Sequence, residues 1–530
     1  MAGRHRKRPG QGGQAALATR ASRALGFSFF SNLAGRLGTL PVGIVLARLL
    51  GPHSFGTFAV ALLALMALLR FNDLNVGLAI VRWERDPAEI APTVATLSVA
   101  ASLCVYAGCF AGAPAFAAAM GAPAAAGVLR VLALNVIVDG LVATPAALMQ
   151  RQFRQDRKMI ADQVNNWLGA AVSIALAAQG YGAMSLAVGR MTGAAVSAVL
   201  FFAFSPLPVR FGWDRRVAGR LLRFSLPLAG SSLIMFAVTN VDQVVVGHLL
   251  GATDLGYYAL AVNLAAWPVA IFSRPARSVA PAVFSRMQHQ PAAMRGGFLA
   301  AAGLLAAVTV PICLFISGSR APLIGLVYGA RWLPAASALG WLAVLGALRI
   351  GFELCYDYLV VLRRSRAVLV IQVIWLAALA PALVIGTEAG GIAGAALAGA
   401  AAAGCVVGPA YLIELRRVGI GARQVAGRLW APAGVGALVT LAAALSARTI
   451  TPDLAALAVG GFALLAGLGL LSHWIRPGMS ALGLNLRAGA LAPGPAAAAG
   501  SPGAAQVAGG GYQTAGVPGA PDLDAALGGS

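Results

Sequence analysis

LLGPHSFGTFAVA at residues 49–61 and LLGATDLGYYALA at residues 249–261 read as two copies of one unit. Six of the thirteen positions coincide: Leu49/Leu249, Leu50/Leu250, Gly51/Gly251, Gly56/Gly256, Ala59/Ala259 and Ala61/Ala261. In each copy a long apolar run leads in, a short glycine-punctuated turn follows, and a second apolar run leaves. That order predicts a membrane helical hairpin built twice, hence two related halves facing one cavity. Many transporters are built this way, so transport is the first function the chain suggests.

Composition agrees with a membrane setting. Hydrophobic residues make up 59% of the chain and charged residues 11%, with a mean hydropathy of +0.80. A water-soluble domain cannot hide that much apolar surface, so lipid is the expected solvent. The net charge of +22 and pI near 11.3 would suggest nucleic acid in a soluble protein. Here the basic residues lie mainly between apolar runs, where they set topology and meet anionic headgroups, and no nucleic-acid partner is expected. Cys104, Cys109, Cys313, Cys355 and Cys405 all sit in apolar runs without ligand spacing, and the five histidines are scattered. Neither a metal nor another cofactor is expected, and no catalytic motif is present, so the chain is not read as an enzyme.

A hydrocarbon core of roughly 30 Å takes about 20 helical residues to cross. Fourteen such spans can be drawn, near 25–47, 56–80, 93–116, 124–148, 161–180, 183–205, 224–250, 256–276, 297–319, 333–362, 367–386, 390–414, 431–447 and 454–475. Basic clusters follow the even-numbered spans: Arg82 and Arg85, Arg151 to Lys158, Arg210 to Arg223, Arg274 to Arg295, Arg363 to Arg366, Arg416 to Arg428, and Arg476. Connections after odd-numbered spans are short and nearly free of them. The positive-inside rule then places both termini in the cytoplasm of a multi-pass protein of the plasma (inner) membrane. A missed span would break the alternation.

The expected fold class is therefore all-α, a polytopic membrane protein of about fourteen transmembrane helices. Its expected divisions are a basic cytoplasmic arm (1–24), an N-terminal helical bundle (25–205), a basic cytoplasmic linker (206–223) and a C-terminal helical bundle (224–414). Two additional transmembrane helices (415–476) and a Gly/Ala/Pro-rich tail (477–530) complete it. The tail lacks the large apolar side chains that offset chain entropy, so disorder is expected there.

The second copy and its surroundings, FSLPLAGSSLIMFAVTNVDQVVVGHLLGATDLGYYALAVNLAAWPVAIFSRPARSVAPAVFSRM at residues 224–287, carry a resemblance. They are similar to the polysaccharide (O-antigen/lipopolysaccharide) flippase branch of the multidrug/oligosaccharidyl-lipid/polysaccharide flippase superfamily. The elements are Ser225-Leu226-Pro227, the intramembrane Asp242, the turn at Leu249-Leu250-Gly251, Gly256-Tyr257-Tyr258, and the exit from Pro281 to Met287. LARLLGPHSFGTFA, at residues 46–59, matches the first hairpin of such flippases. The resemblance implies two six-helix bundles related by pseudo-symmetry with two further helices. It also implies transfer of a polyprenyl-diphosphate-linked oligosaccharide from the cytoplasmic to the outer leaflet by alternating access, in cell-surface polysaccharide biosynthesis. The implied partners are that substrate, membrane lipids, a coupling H+ or Na+, and glycan-assembly proteins.

A sugar diphosphate cannot cross hydrocarbon unaided, because unpaired polar and charged groups are costly there. A wet groove walled with arginine lowers that barrier, since guanidinium stays charged and presents a fork to phosphate oxygens. Arg36, Arg70, Arg274 and Arg349 are the inward candidates; for Arg70 and Arg274 the alternative is headgroup contact by snorkelling. The resemblance places arginines of such flippases on helices 1, 2 and 8, to which Arg36, Arg70 and Arg274 correspond by position alone. Asp242, with Asn240 beside it, is the sharpest intramembrane acid, a candidate for ion coupling or for a fixed interhelical hydrogen bond. Arg349, Glu353 and Asp357 recur every four residues and share one helical face, as an ion pair with a spare acid or as a coupling relay. Asp139 and Arg190 are lone charges expected to line the interior of the first bundle.

Two competing readings remain. One is a drug or metabolite cation antiporter of the same superfamily. The other is a multi-span polysaccharide polymerase or ligase, which predicts a long external loop of polar residues where the connections here are short.

Overall fold

The computed structural model describes residues 11–72, 80, 87–152, 154–208, 210–273 and 291–491, with side chains described from residue 41 to 474 except at position 71 and parts of 224–238 and 272–273. Among these residues the chain is helical throughout, with short 3-10 and π turns and no strand. The long helix α1 (Gln11–Asn72) is broken at Gly51, whose φ of 70° and ψ of 172° no L-residue adopts without strain. Leu46 and Phe58 pack together across that break, so the chain folds back as a hairpin. The second hairpin consists of α6 (Arg215–Leu250) and α7 (Ala252–Pro268), joined at Gly251 with φ of 82°. The repeat read in the sequence is thus a repeat of backbone conformation.

Between the hairpins run α2 (Ala91–Ala119), α3 (Ala125–Arg151), α4 (Gln155–Ala178) and α5 (Ala183–Phe204), which pack with α1 as the first bundle. Asp214 caps the start of α6, its Oδ1 accepting from the backbone N–H of Arg216 at 2.8 Å. After α7, which ends in a π turn at Val269–Ser273, come α8 (Pro291–Gly318), the short α9 (Arg320–Tyr328), α10 (Ala335–Val361), α11 (Ser365–Ala402) and α12 (Gly408–Arg417). Helix α11 is itself broken at Gly390 and Gly391. Helices α6 to α12 form the second bundle. Then α13 (Ala422–Thr449) lies along α8, and α14 (Asp453–Leu491) lies against α13, where Gly467 faces Val435 and Val439.

Each expected span falls on helix within the described residues, with the two broken helices each holding two spans. Nine of the described helices are long and apolar enough to cross a membrane. Their apolar side chains are not hidden in the protein: in the most apolar part of Ser365–Arg417 only 17% is buried. Phe462, Leu465 and Ile385 point outward, and lipid is their solvent. Helix also extends beyond the expected spans, to Gln11 at one end and Leu491 at the other. Ala and Leu are frequent in both extensions and favour helix. Residues 492–530 of the expected tail lie outside the described residues.

The halves meet at the hairpins. A Cβ added to Gly56 would stand 1.8 Å from the Ala252 carbonyl oxygen, and one added to Gly256 would stand 2.4 Å from that of Pro52. Pro52 and Ala252 are equivalent positions of the repeat, so the contact is reciprocal, as a two-fold relation requires. Glycine is needed at both places because backbone lies against backbone. His53 Nδ1 and Thr253 Oγ1, another equivalent pair, are 3.2 Å apart.

Candidate functional site

Two features follow from this packing: a sealed end and a partly open cavity with charged and aromatic walls. The hairpin turns at Gly51 and Gly251 gather other turns around them, since Gly121 abuts Gly251 and Gly182 faces Ser54. Trp332, which is 1% exposed, is wedged among them. Its ring meets Phe55 of the first hairpin edge-on at 5.4 Å and Tyr257 of the second edge-on at 6.0 Å. The indole Nε1–H donates to the Ala47 carbonyl at 3.0 Å, 285 residues away in sequence. Beside it, Arg48 Nε donates to the Val327 carbonyl at 2.8 Å, satisfying an end of α9. The Phe55 edge and two long-range hydrogen bonds therefore tie the first bundle to the second at this end, while Tyr257 backs the indole from within the second bundle.

Within the second bundle lies a cavity of about 320 Å³, walled by α6, α7, α10 and α11 with Tyr411 of α12. Asp242 and Arg349 both face it, together with Glu353. Tyr258 donates its hydroxyl to Asp242 Oδ2 at 3.1 Å. The other carboxyl oxygen, Oδ1, is buried with no hydrogen-bond partner among the described residues, and so is the Trp375 indole N–H on the same wall. A buried acceptor and a buried donor without partners are costly in the wall of such a cavity. The Arg349 guanidinium lies 3.7 Å from Glu353 and keeps almost half of its side-chain surface exposed. Its remaining donors are available to a ligand. Phe352 stacks on Tyr411 at 5.4 Å and meets Trp375 edge-on, giving the cavity an aromatic floor. This combination of acid, free fork and aromatic faces suits a polar solute or a cation.

The structure brings Asp242, Arg349 and Glu353 of the expected residues into one cavity. Asn240 instead spends its amide on its own helix, with Nδ2 donating to the Phe236 carbonyl at 2.9 Å. Asp357 is buried one turn beyond Glu353, with a polar interaction of its own. Arg70 is exposed in the last turn of the first hairpin. Arg36 lies on α1 with its side chain outside the described residues, and Arg274 lies wholly outside them. Sequence reasoning passed over Trp332 and Arg48. Tyr258 did carry a signal, because it belongs to the repeated unit and follows Asp242 by sixteen residues.

A family profile described as "Polysaccharide biosynthesis protein" matches residues 45–337, a stretch that includes both hairpin turns, Asp242 and Trp332. The chain is 27% identical over 326 residues to the succinoglycan biosynthesis transport protein ExoT of Rhizobium meliloti (strain 1021), covering 61% of this chain and 65% of that one. It is 24% identical over 307 residues to the lipopolysaccharide biosynthesis protein WzxC of Escherichia coli (strain K12), covering 58% and 62%. The matched stretch thus spans somewhat less than two thirds of either relative. Among solved structures, the lipid II flippase MurJ in an inward closed conformation superposes with a TM-score of 0.69 at 14% identity, covering 86% of this chain and 99% of that one. An inward-facing multidrug resistance MATE family transporter of the MOP superfamily superposes with a TM-score of 0.57 at 17% identity, covering 73% and 98%. At such identities the likeness concerns the fold.

Proposed function

The chain belongs to the polysaccharide biosynthesis protein family, and from that premise we propose that it is a flippase moving a polyprenyl-diphosphate-linked oligosaccharide, or a related lipid-linked glycan, between membrane leaflets. The observation that carries this reading is the family match over both hairpin turns and the bonds that seal them. ExoT is described as a transport protein of succinoglycan biosynthesis, and we extend that role to this chain. In this reading the basic clusters face the cytoplasm with both termini, and the hairpin end faces outward. The sealed state is then open inward, ready to load a headgroup while the lipid tail stays among acyl chains. Release on the far side needs the hairpins to part.

Ion coupling is assigned to Asp242. Its open Oδ1 takes a proton or Na+, and the Tyr258 hydroxyl holds the carboxylate toward the cavity. Arg349 meets the diphosphate or an acidic sugar. The substrate itself, a coupling H+ or Na+, and glycan-assembly proteins are the proposed partners. A second reading, antiport of an organic cation, draws on the aromatic and acidic cavity walls.

Purified protein in liposomes separates the two readings. A fluorescent polyprenyl-diphosphate oligosaccharide in the inner leaflet becomes accessible to an external lectin in protein-containing vesicles and stays hidden in empty ones. Ethidium counterflow without lectin exposure would move the assignment to the antiporter.

A further inference from the structure

The first bundle holds a separate groove of about 500 Å³, within the size range of ligand sites. It is walled mainly by α3, α4 and α5. Along α4 the groove is lined by Lys158, Asp162, Asn166, Gly169 and Ser173, which recur every three or four residues and so share one face. At 1.5 Å per residue this face runs for roughly 22 Å. Asn165 on α4 adds a further amide, while the buried Asn135 on α3 donates its Nδ2 to the Leu132 carbonyl at 3.0 Å. Carboxamides present a donor and an acceptor together, the pairing that vicinal hydroxyls require.

The charge in the groove is arranged unevenly. Lys158 and Asp162 neutralise each other at 2.9 Å, and Asp139, which also lines the groove, has a polar interaction of its own. Arg190 on α5 lines the same wall and makes no hydrogen bond or ion pair with any described residue. It is held there by a close crossing of helices. A Cβ on Gly189 would stand 2.0 Å from the Ser173 hydroxyl, and one on Gly193 would stand 2.4 Å from the Asn165 carbonyl oxygen. The backbone of neighbouring Arg190 is therefore fixed beside the amide row. A guanidinium inside a membrane bundle with no acid partner among the described residues is costly, and an incoming oxyanion removes that cost.

We propose that this groove is a second glycan site, in which Arg190 binds an oxyanion of the headgroup while Asn165 and Asn166 take neighbouring hydroxyls. The inference rests on the flippase reading and deepens it: the cargo presents an oxyanion flanked by sugar hydroxyls. That oxyanion is a uronate carboxylate or the diphosphate, and the two are separable.

The test is calorimetric titration of the full-length protein in nanodiscs with three probes: a tetrasaccharide containing glucuronic acid, its neutral glucose counterpart, and inorganic pyrophosphate. The wild type is expected to bind the acidic tetrasaccharide about ten- to a hundredfold more tightly than the neutral one. Arg190→Gln loses that preference, Arg190→Lys retains part of it, and Arg130→Gln, whose guanidinium lies over the Phe110 ring instead, keeps it whole. Arg190-dependent binding of pyrophosphate alone supports the site and names the diphosphate as its oxyanion. Equal binding of all probes by wild type and Arg190→Gln overturns the proposal, as does no binding of any probe by the wild type. Melting of each variant in detergent confirms that it is folded. Lipid-linked transfer by the same wild-type preparation keeps the outcomes apart: transfer with Arg190-independent binding sinks this inference alone, whereas no transfer sinks the flippase reading.

Discussion

Trp332→Ala opens the hairpin end. The indole fills the space between Phe55 of one hairpin and Tyr257 of the other and supplies the N–H that the Ala47 carbonyl accepts. Removing a fully buried tryptophan leaves a cavity and costs ~3–5 kcal/mol. Its contacts with Phe55 and the Ala47 carbonyl cross to the first bundle, and the share of the loss they carry falls on the sealed state. The ratio of sealed to open protein is therefore expected to fall by roughly one to two orders of magnitude. Labelling of a cysteine placed at Thr253 by a membrane-impermeant maleimide reads this directly. Trp332→Phe keeps a ring for the two aromatic edges and loses only the hydrogen bond, so its effect is smaller, about 0.5–1.5 kcal/mol. Unchanged labelling in Trp332→Ala would mean that the indole packs the end without holding it shut.

Asp242→Asn uncouples transfer from its driving ion while leaving the fold in place. The carboxamide oxygen still accepts from the Tyr258 hydroxyl, so the contact between α6 and α7 survives. What disappears is the negative charge and the open Oδ1. An ion that binds there contributes a coupling free energy, typically 1–3 kcal/mol. The accelerating effect of an imposed proton or Na+ gradient is accordingly expected to drop by roughly 5- to 150-fold. Transfer without a gradient changes less. If Asp242→Asn responds to the gradient as wild type does, the carboxylate is a structural hydrogen-bond acceptor.

Much of this architecture was legible because membrane helices write themselves in runs. Lipid exposes apolar side chains on every outward face, so each span appears as an uninterrupted stretch, and the glycines at 51 and 251 mark the turns between them. Their positive φ explains why these positions agree across the repeat when His53 and Thr253 do not. Pairings along one helix were equally readable: Arg349 and Glu353, four residues apart, do meet. Lateral contacts were not. Nothing periodic connects Trp332 to Ala47 or Arg48 to Val327, which lie on different bundles, so the seal has no signature in the order of residues. Asp357 shared a predicted face with Glu353, but it is buried one turn further along and does not line the cavity. The groove around Arg190 is a middle case. The polar positions from Lys158 to Ser173 do follow helical spacing, yet only the close glycine crossing reveals that α5 brings an arginine to them.

The account as a whole stands on movement of the two hairpins: sealed together to load and separated to release. The most direct measurement uses His53→Cys and Thr253→Cys in a background where Cys104, Cys109, Cys313, Cys355 and Cys405 are replaced by alanine. The two native side chains are within hydrogen-bonding distance, so a short bifunctional thiosulfonate spans the pair. Lectin-detected transfer of the lipid-linked oligosaccharide should fall to the level of empty liposomes after bridging and return on reduction. Transfer at the unbridged rate by fully bridged protein would contradict the account.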